Sequence, residues 1–204
     1  LNKEISFESF KGQILDDYKL IVTSREASLL GRREVLSGKA KFGIFGDGKE
    51  LPQIALAKVF QNGDFRSGYY RDQTFMMAIN ELNPKQLFSA LYANTDINEE
   101  PMSAGRQMGA HFNTVSLNED GSWKDLVNQK NSSSDVSCTA SQMPRLLGLA
   151  QASKLYRKFT TKNKFSKNGN EIAWGTIGNA STSEGIFFEV LNAAGVHQVP
   201  MVIS

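Results

Sequence analysis

The sequence predicts an α/β fold, a parallel sheet with flanking helices, preceded by helices. Two observations carry this. Strand-like Ile172–Ile177 is followed by the small-residue turn Gly178-Asn179-Ala180-Ser181-Thr182-Ser183-Glu184-Gly185, helix-like Ile186–Ala194 and a second apolar run, Val199–Ile203. Strand, turn, helix, strand is a βαβ unit with parallel strands. Before it, apolar residues recur mostly at helical spacing, so helices come first and the sheet is entered late.

In chain order, residues 6–31 read as a helix: Phe7, Phe10, Ile14, Leu15, Tyr18, Ile21 and Val22 recur near helical spacing, Ser6 starts it and Gly31 stops it. Residues 32–49, rich in Gly and Lys, read as a connection. Within it, Gly46-Asp47-Gly48 reads as a tight turn rather than a metal site, because no second oxygen ligand follows at matching spacing. Leu51–Phe60 is a second helix, with Pro52 in its first turn. Asn62-Gly63-Asp64 is a turn, Phe65–Tyr70 a short extended piece and Asp72–Leu82 a third helix. Asn83-Pro84 breaks that helix and opens a fourth, Lys85–Tyr92. Residues 93–137 lack periodicity, and so long an irregular stretch is functional or disordered. Gln142–Phe159 returns to helix, and Lys162–Asn170 is a polar hairpin-like loop. The expected division is 1–49, a helical segment and connection, and 50–204, an incomplete α/β domain with the irregular loop 93–137.

A net charge of +2 on 204 residues gives no reason to expect nucleic acid. The basic cluster Lys154, Arg157, Lys158, Lys162, Lys164 and Lys167 reads as a solvated helix end and loop. One cysteine excludes an internal disulfide and fits a reducing cytoplasm; Cys138 reads as a small buried thiol rather than a nucleophile. No run is long and apolar enough to span a membrane, and no signal peptide is visible. The chain begins without Met and ends on an apolar strand, so both ends look cut from a longer protein.

Four segments carry chemistry. The turn after Ile177 has two readings. Its free N–H groups and helix dipole suit a phosphate, and the Asn179 carbonyl suits a hard cation such as Mg²⁺. Equally, Ser181, Thr182 or Ser183 can be an N-cap with Glu184 as first-turn acid. In Tyr69-Tyr70-Arg71-Asp72, Arg71 can clamp a phosphate, or pair with Asp72 or a carbonyl beside a buried aromatic. Gly105-Arg106-Gln107-Met108-Gly109-Ala110-His111-Phe112 suits a ligand-contacting loop. His197 reads as a surface residue. Ser-His-Asp, zinc and Walker patterns are missing from the sequence.

Together these segments resemble the E1 component of 2-oxoacid dehydrogenase complexes, specifically its alpha part, from about Gly43 to Ser204. The resemblance rests on four ordered motifs: Gly-Tyr-Tyr-Arg-Asp at 68–72, Gly-Arg-Gln-Met-Gly-Ala-His-Phe at 105–112, Thr-Ala-Ser-Gln-Met-Pro at 139–144, and Gly-Asn-Ala-Ser-Thr-Ser-Glu-Gly at 178–185. It implies a thiamine diphosphate-binding fold, of which this is the N-terminal part. The Ile172–Ser204 segment looks most like forms with alpha and beta parts fused, as in some bacteria.

The resemblance also implies roles. Tyr70 and Arg71 match residues that contact the cofactor, Arg71 mainly at its diphosphate. Ser137 and Thr139 match positions near the reactive ring. Ser141 and Gln142 match a monovalent-cation (K⁺) site of some members. Asn179 matches the Mg²⁺ ligand that opens the thiamine motif, and Gly178, Ala180 and Ser181 match its diphosphate-facing backbone. The family usually has an acid where Asn179 stands, so weaker metal and cofactor binding is expected, because a neutral amide loses the Coulomb attraction. The closing Asn pair of the motif would fall beyond Ser204. The catalytic His lies further along, and the activating Glu comes from the beta part, so no catalytic residue is expected in this chain. By itself it is expected to be inactive.

The implied activity is decarboxylation of a 2-oxoacid and acyl transfer to lipoyl-E2. The implied partners are the E1 beta part, lipoyl-E2 and further copies in a homo-oligomer. Two other readings are a transketolase-like thiamine enzyme and a non-catalytic assembly module with a degenerate site.

Overall fold

The computed structural model describes residues 5–159 and 164–204. Lys162, and with it the start of the expected loop Lys162–Asn170, lies outside the described residues. The chain divides into two compact units: Leu1–Lys58, Arg71–Glu100 and Ala104–Ala110 form the first, and Val59–Tyr70, Pro101–Ser103 and His111–Ser204 form the second.

The first unit is helical: α1 (Phe7–Leu36), α2 (Glu50–Val59, ending at the boundary), α3 (Gln73–Ala78) and α4 (Pro84–Leu91). Ser6 caps α1 by accepting the Ser9 N–H, as its sequence position suggests. Gly31 does not stop the helix. A Cβ there would lie 2.3 Å from Phe45 Cε1, so its glycine serves close packing, and α1 runs on through five more residues to Leu36. The buried face of α1 is small: Ser24, Ala27, Ser28 and Gly31. It meets α3 through polar contacts, Ser24 Oγ to Thr74 Oγ1 at 2.7 Å and Gln73 Nε2 to the Ser24 carbonyl at 2.9 Å. α3 is shorter than expected, because Asn80 turns left-handed at φ 64°. α4 opens with a capping box between Asn83 and Gln86.

The second unit holds a four-stranded parallel sheet in the order β2-β1-β3-β4, with β1 Phe65–Ser67, β2 Asn131–Ser132, β3 Ala173–Gly175 and β4 Met201–Ile203. The sheet is therefore not confined to the chain's end. The short extended piece supplies its inner strand β1, and the aperiodic stretch 93–137 supplies its edge strand β2. The β3–α6–β4 unit forms as the hydrophobic pattern predicts, with α6 at Gly185–His197. α5 (Gln142–Lys158) packs on β1, β3 and β4, and α6 packs on α5. Met143, Leu146, Ala150, Ala173 and Val190 form the shared core. A Cβ at Gly175 would lie 2.2 Å from Leu146 Cδ2, so glycine there lets α5 approach the sheet.

Candidate functional site

Strand order decides where a ligand site can be. From β1 the chain crosses to β2 on one side and later to β3 on the other, so the topological switch point lies between β1 and β3. In open α/β sheets ligands bind outside the carboxyl ends of the strands at such a point. Three loops leave those ends in the second unit: 68–70 after β1, 133–141 after β2 and 176–184 after β3.

The loop after β3 folds on itself. Asn179 is helical in backbone (φ −55°, ψ −39°), Ala180–Ser183 form a 3-10 turn, and the Ser181 N–H donates to the Gly178 carbonyl at 3.0 Å. Thr182 Oγ1 donates to the Asn179 carbonyl at 2.7 Å. None of Ser181, Thr182 and Ser183 caps α6. Extended Glu184 stands at the N-cap without a side-chain cap bond, because the hydroxyl residues are used in the 3-10 turn. Asn179 is exposed, and its carboxamide takes no hydrogen bond among the described residues. A Cβ built on Gly178 would lie 3.9 Å from the Tyr69 hydroxyl and 3.7 Å from Ser181 Oγ. The β1 and β3 loops thus run close to each other at the switch point, with room beside Gly178 for little more than one methyl group. Tyr70, half-buried, stacks edge-on against Tyr69 with ring centroids 5.1 Å apart.

Gln142 clasps the same edge. It is buried at the start of α5; its Nε2 donates to the Thr176 carbonyl at 2.9 Å, and its own carbonyl accepts from Ser67 Oγ at 2.9 Å. Ser141 occupies the N-cap position of α5 without a side-chain cap bond, after left-handed Ala140 at φ 61°. Ser137 and Thr139 are exposed on the loop after β2, and Ser137 Oγ lies 2.7 Å from His111 Nε2. Cys138 is exposed as well, against the expectation of a buried thiol; it sits at the crest of this loop rather than in the core. Arg71 belongs to the first unit, where its carbonyl accepts from Gln53 Nε2 at 2.8 Å. Asp47 forms the expected turn, accepting from Arg32 at 2.5 Å. His197, exposed, ends α6.

Sequence reasoning missed the group that fixes this edge. Arg66 on β1 and Asp135 beyond β2 are buried and paired through both guanidinium and carboxylate prongs, at 2.9 and 3.1 Å. Both stand in segments whose local pattern gives no sign of the other.

A sequence model of the family described as dehydrogenase E1 component matches residues 19–204. This chain belongs to the dehydrogenase E1 component family. It is also similar to 2-oxoisovalerate dehydrogenase subunit alpha of Bacillus subtilis (strain 168): 28% identical over 195 residues, which are 93% of this chain and 49% of that one. The chain spans about half the length of that curated relative. The α/β architecture of this E1-family chain, a parallel sheet with flanking helices, is consistent with the matched family region.

For the cofactor that the family resemblance implies, the turn after β3 offers backbone N–H groups and an open carboxamide at the switch point, a donor set that suits a diphosphate. For a divalent ion it offers one neutral oxygen, from Asn179. Among the described residues no group of three or more His, Cys, Asp or Glu side chains is placed to hold a metal ion.

Proposed function

We propose that this chain is the alpha-part, N-terminal portion of a 2-oxoacid dehydrogenase E1 that decarboxylates a 2-oxoacid with thiamine diphosphate and passes the acyl group to lipoyl-E2. The observation that carries the reading is the E1 family match across residues 19–204. The close approach of the β1 and β3 loops at the switch point supports it.

When bound, thiamine diphosphate supplies the electron sink for decarboxylation. The backbone N–H groups of Gly178 and Ala180 receive the diphosphate, with Tyr70 adding a hydrogen bond; Ser181, whose own N–H donates to the Gly178 carbonyl, is assigned there on the resemblance alone. Asn179 offers its carbonyl oxygen to Mg²⁺. Arg71, in the other unit, is assigned a diphosphate contact on the resemblance alone. Ser137 and Thr139 line the approach to the reactive ring, and Ser137 is held by His111. A K⁺ ion at Ser141 and Gln142 would stiffen the clasp that Gln142 already forms between Ser67 and Thr176. The beta part, on the same or a separate polypeptide, completes the site.

Calorimetric titration of thiamine diphosphate with Mg²⁺ into the intact protein, with its beta part present, tests this. Saturable, metal-dependent heat that Arg71→Ala weakens is the expected result. No heat at saturation would sink it and favour the assembly-module reading, which the neutral Asn179 already supports. With the intact protein, turnover of 2-oxoisovalerate or pyruvate but not of sugar phosphates separates the dehydrogenase from a transketolase-like enzyme. Protection of residues 93–137 from protease by added cofactor is the structural counterpart.

A further inference from the structure

We infer that a cavity in the helical unit, walled by Lys41 and Arg106, binds a small organic carboxylate: one carboxylate group on a short apolar body.

Of the motif Gly105–Phe112, only His111 and Phe112 reach the sheet edge. Residues 106–109 instead line a cavity of about 330 Å³, shared with residues 39–42 and the end of α4, all within the first unit. Small-molecule sites run from roughly 300 to 1,000 Å³.

The charge of the wall sets the sign of the ligand. Lys39, Lys41 and Arg106 line the cavity, and among its described lining residues none is acidic. Lys39 is already matched: its Nζ lies 3.3 Å from Glu34 Oε1, and the other Glu34 oxygen accepts the Tyr92 hydroxyl at 2.6 Å. The side chains of Lys41 and Arg106 make no ion pair or hydrogen bond among the described residues. Like charges on one concave wall focus a positive field into it. An arginine fork takes both oxygens of a carboxylate, and a lysine adds a point charge.

The apolar part of the wall sets the body of the ligand. Phe42, Leu91 and Met108 line the same cavity, and Phe42 and Met108 are 44% and 47% exposed. A bare inorganic anion would leave these faces in water. An apolar body attached to the carboxylate covers them.

The loop that carries Arg106 is fixed before any ligand arrives. Ala104 and Gly105 are left-handed at φ 50° and 73°, as is Ala93 at φ 54°. Alanine gains nothing from that conformation. Such residues persist where the surroundings dictate the backbone, and they cluster at binding sites. Here the buried Glu100 carboxylate accepts the Gly105 N–H at 2.9 Å, and a Cβ on Gly105 would lie 2.6 Å from the Ala93 carbonyl oxygen. Arg106 therefore starts from a held backbone, which lowers the ordering cost of binding.

The test is ligand-observed NMR titration of the intact protein, its beta part present, with phenylacetate as the probe and thermal melts as a fold control. Phenylacetate should bind saturably, and its uncharged isostere phenylacetamide at least about tenfold more weakly. Added salt should weaken phenylacetate binding. Arg106→Gln and Lys41→Met should each raise the dissociation constant by about tenfold or more. Neither should lower the melting temperature, because neither breaks a side-chain bond among the described residues. No saturable binding, equal affinity for the amide, inorganic phosphate displacing phenylacetate at equal concentration, or binding indifferent to both variants would each overturn the inference. Displacement by thiamine diphosphate with Mg²⁺ would place the probe at the sheet edge and overturn it too. A protein that binds no thiamine diphosphate but holds phenylacetate through Arg106 and Lys41 would leave it standing.

Discussion

Arg66 and Asp135, separated by 69 residues in sequence, meet as a buried two-pronged ion pair beside the carboxyl edge of the sheet. The Arg66 guanidinium also donates to Ser132 Oγ at 2.7 Å and to the Tyr69 carbonyl at 3.0 Å, and its carbon lies 5.9 Å from the Phe112 ring centre. Asp135 accepts the Phe112 N–H at 3.1 Å. One pair thus fixes β1, the end of β2, the Tyr69 loop and the chain beside His111 relative to one another.

Removing either partner should be costly. Arg66→Met alone or Asp135→Leu alone leaves an uncompensated charge in a buried site, a loss of about 3–5 kcal/mol. The double variant Arg66→Met/Asp135→Leu should lose much less than the sum of the two, because no charge remains buried. Urea unfolding midpoints of the three variants measure this. Additive losses would show that the pair is not the coupling element.

Two glycines of α1 should respond oppositely to alanine. At Gly12 no atom lies within 4 Å of the added Cβ, so Gly12→Ala should stabilise by up to about 1 kcal/mol through helix propensity. At Gly31 the Cβ meets Phe45 at 2.3 Å, so Gly31→Ala should destabilise by about 1–3 kcal/mol through overpacking. Phe45→Leu should relieve part of the Gly31→Ala loss. Thermal melts of the three variants decide it.

These cases show what the sequence made legible. Gly31 looks like a helix stop because local chain chemistry favours glycine there; its actual constraint is Phe45, fourteen residues on, which no local pattern displays. Helices α2, α4 and α5 were readable because Pro52, Asn83-Pro84 and Pro144 punctuate apolar periodicity. β2 was not, because Asn131 and Ser132 are polar and the strand exists only through pairing with β1. At the site, the turn after β3 was visible as a small-residue run between strand and helix. Its nearness to Tyr69, and the pairing of Arg66 with Asp135, are tertiary facts without a local signature.

Glu50 should make part of the stability acid-sensitive. The Arg25 guanidinium donates to its carboxylate at 2.6 and 2.8 Å and, against some desolvation, holds the carboxyl below the usual range; the Gly48 N–H assists. A depressed folded pKa means that the contribution is present above the ordinary carboxylate value of about 4.3 and is lost as pH falls through the lower folded value. Glu50→Gln should therefore melt below wild type at neutral pH, and the gap should narrow under acid. A gap independent of pH would show that packing of the side chain, and not its charge, is what matters.

Asn179→Asp should strengthen metal-dependent cofactor binding. Asn179 is exposed, and its carboxamide takes no hydrogen bond among the described residues. Replacing it with a carboxylate therefore breaks no contact, and the melting temperature without ligand should not change. The carboxylate adds a Coulomb attraction to Mg²⁺ that the amide lacks. Even about 1.4 kcal/mol of it is a tenfold gain in affinity. Calorimetry at fixed thiamine diphosphate with Mg²⁺ varied should show the midpoint move to lower Mg²⁺ in the Asp variant. Ca²⁺, larger and less demanding in geometry, should gain as well, because the added attraction is electrostatic. If the midpoint stays where it is while the variant folds normally, the turn after β3 does not hold the ion.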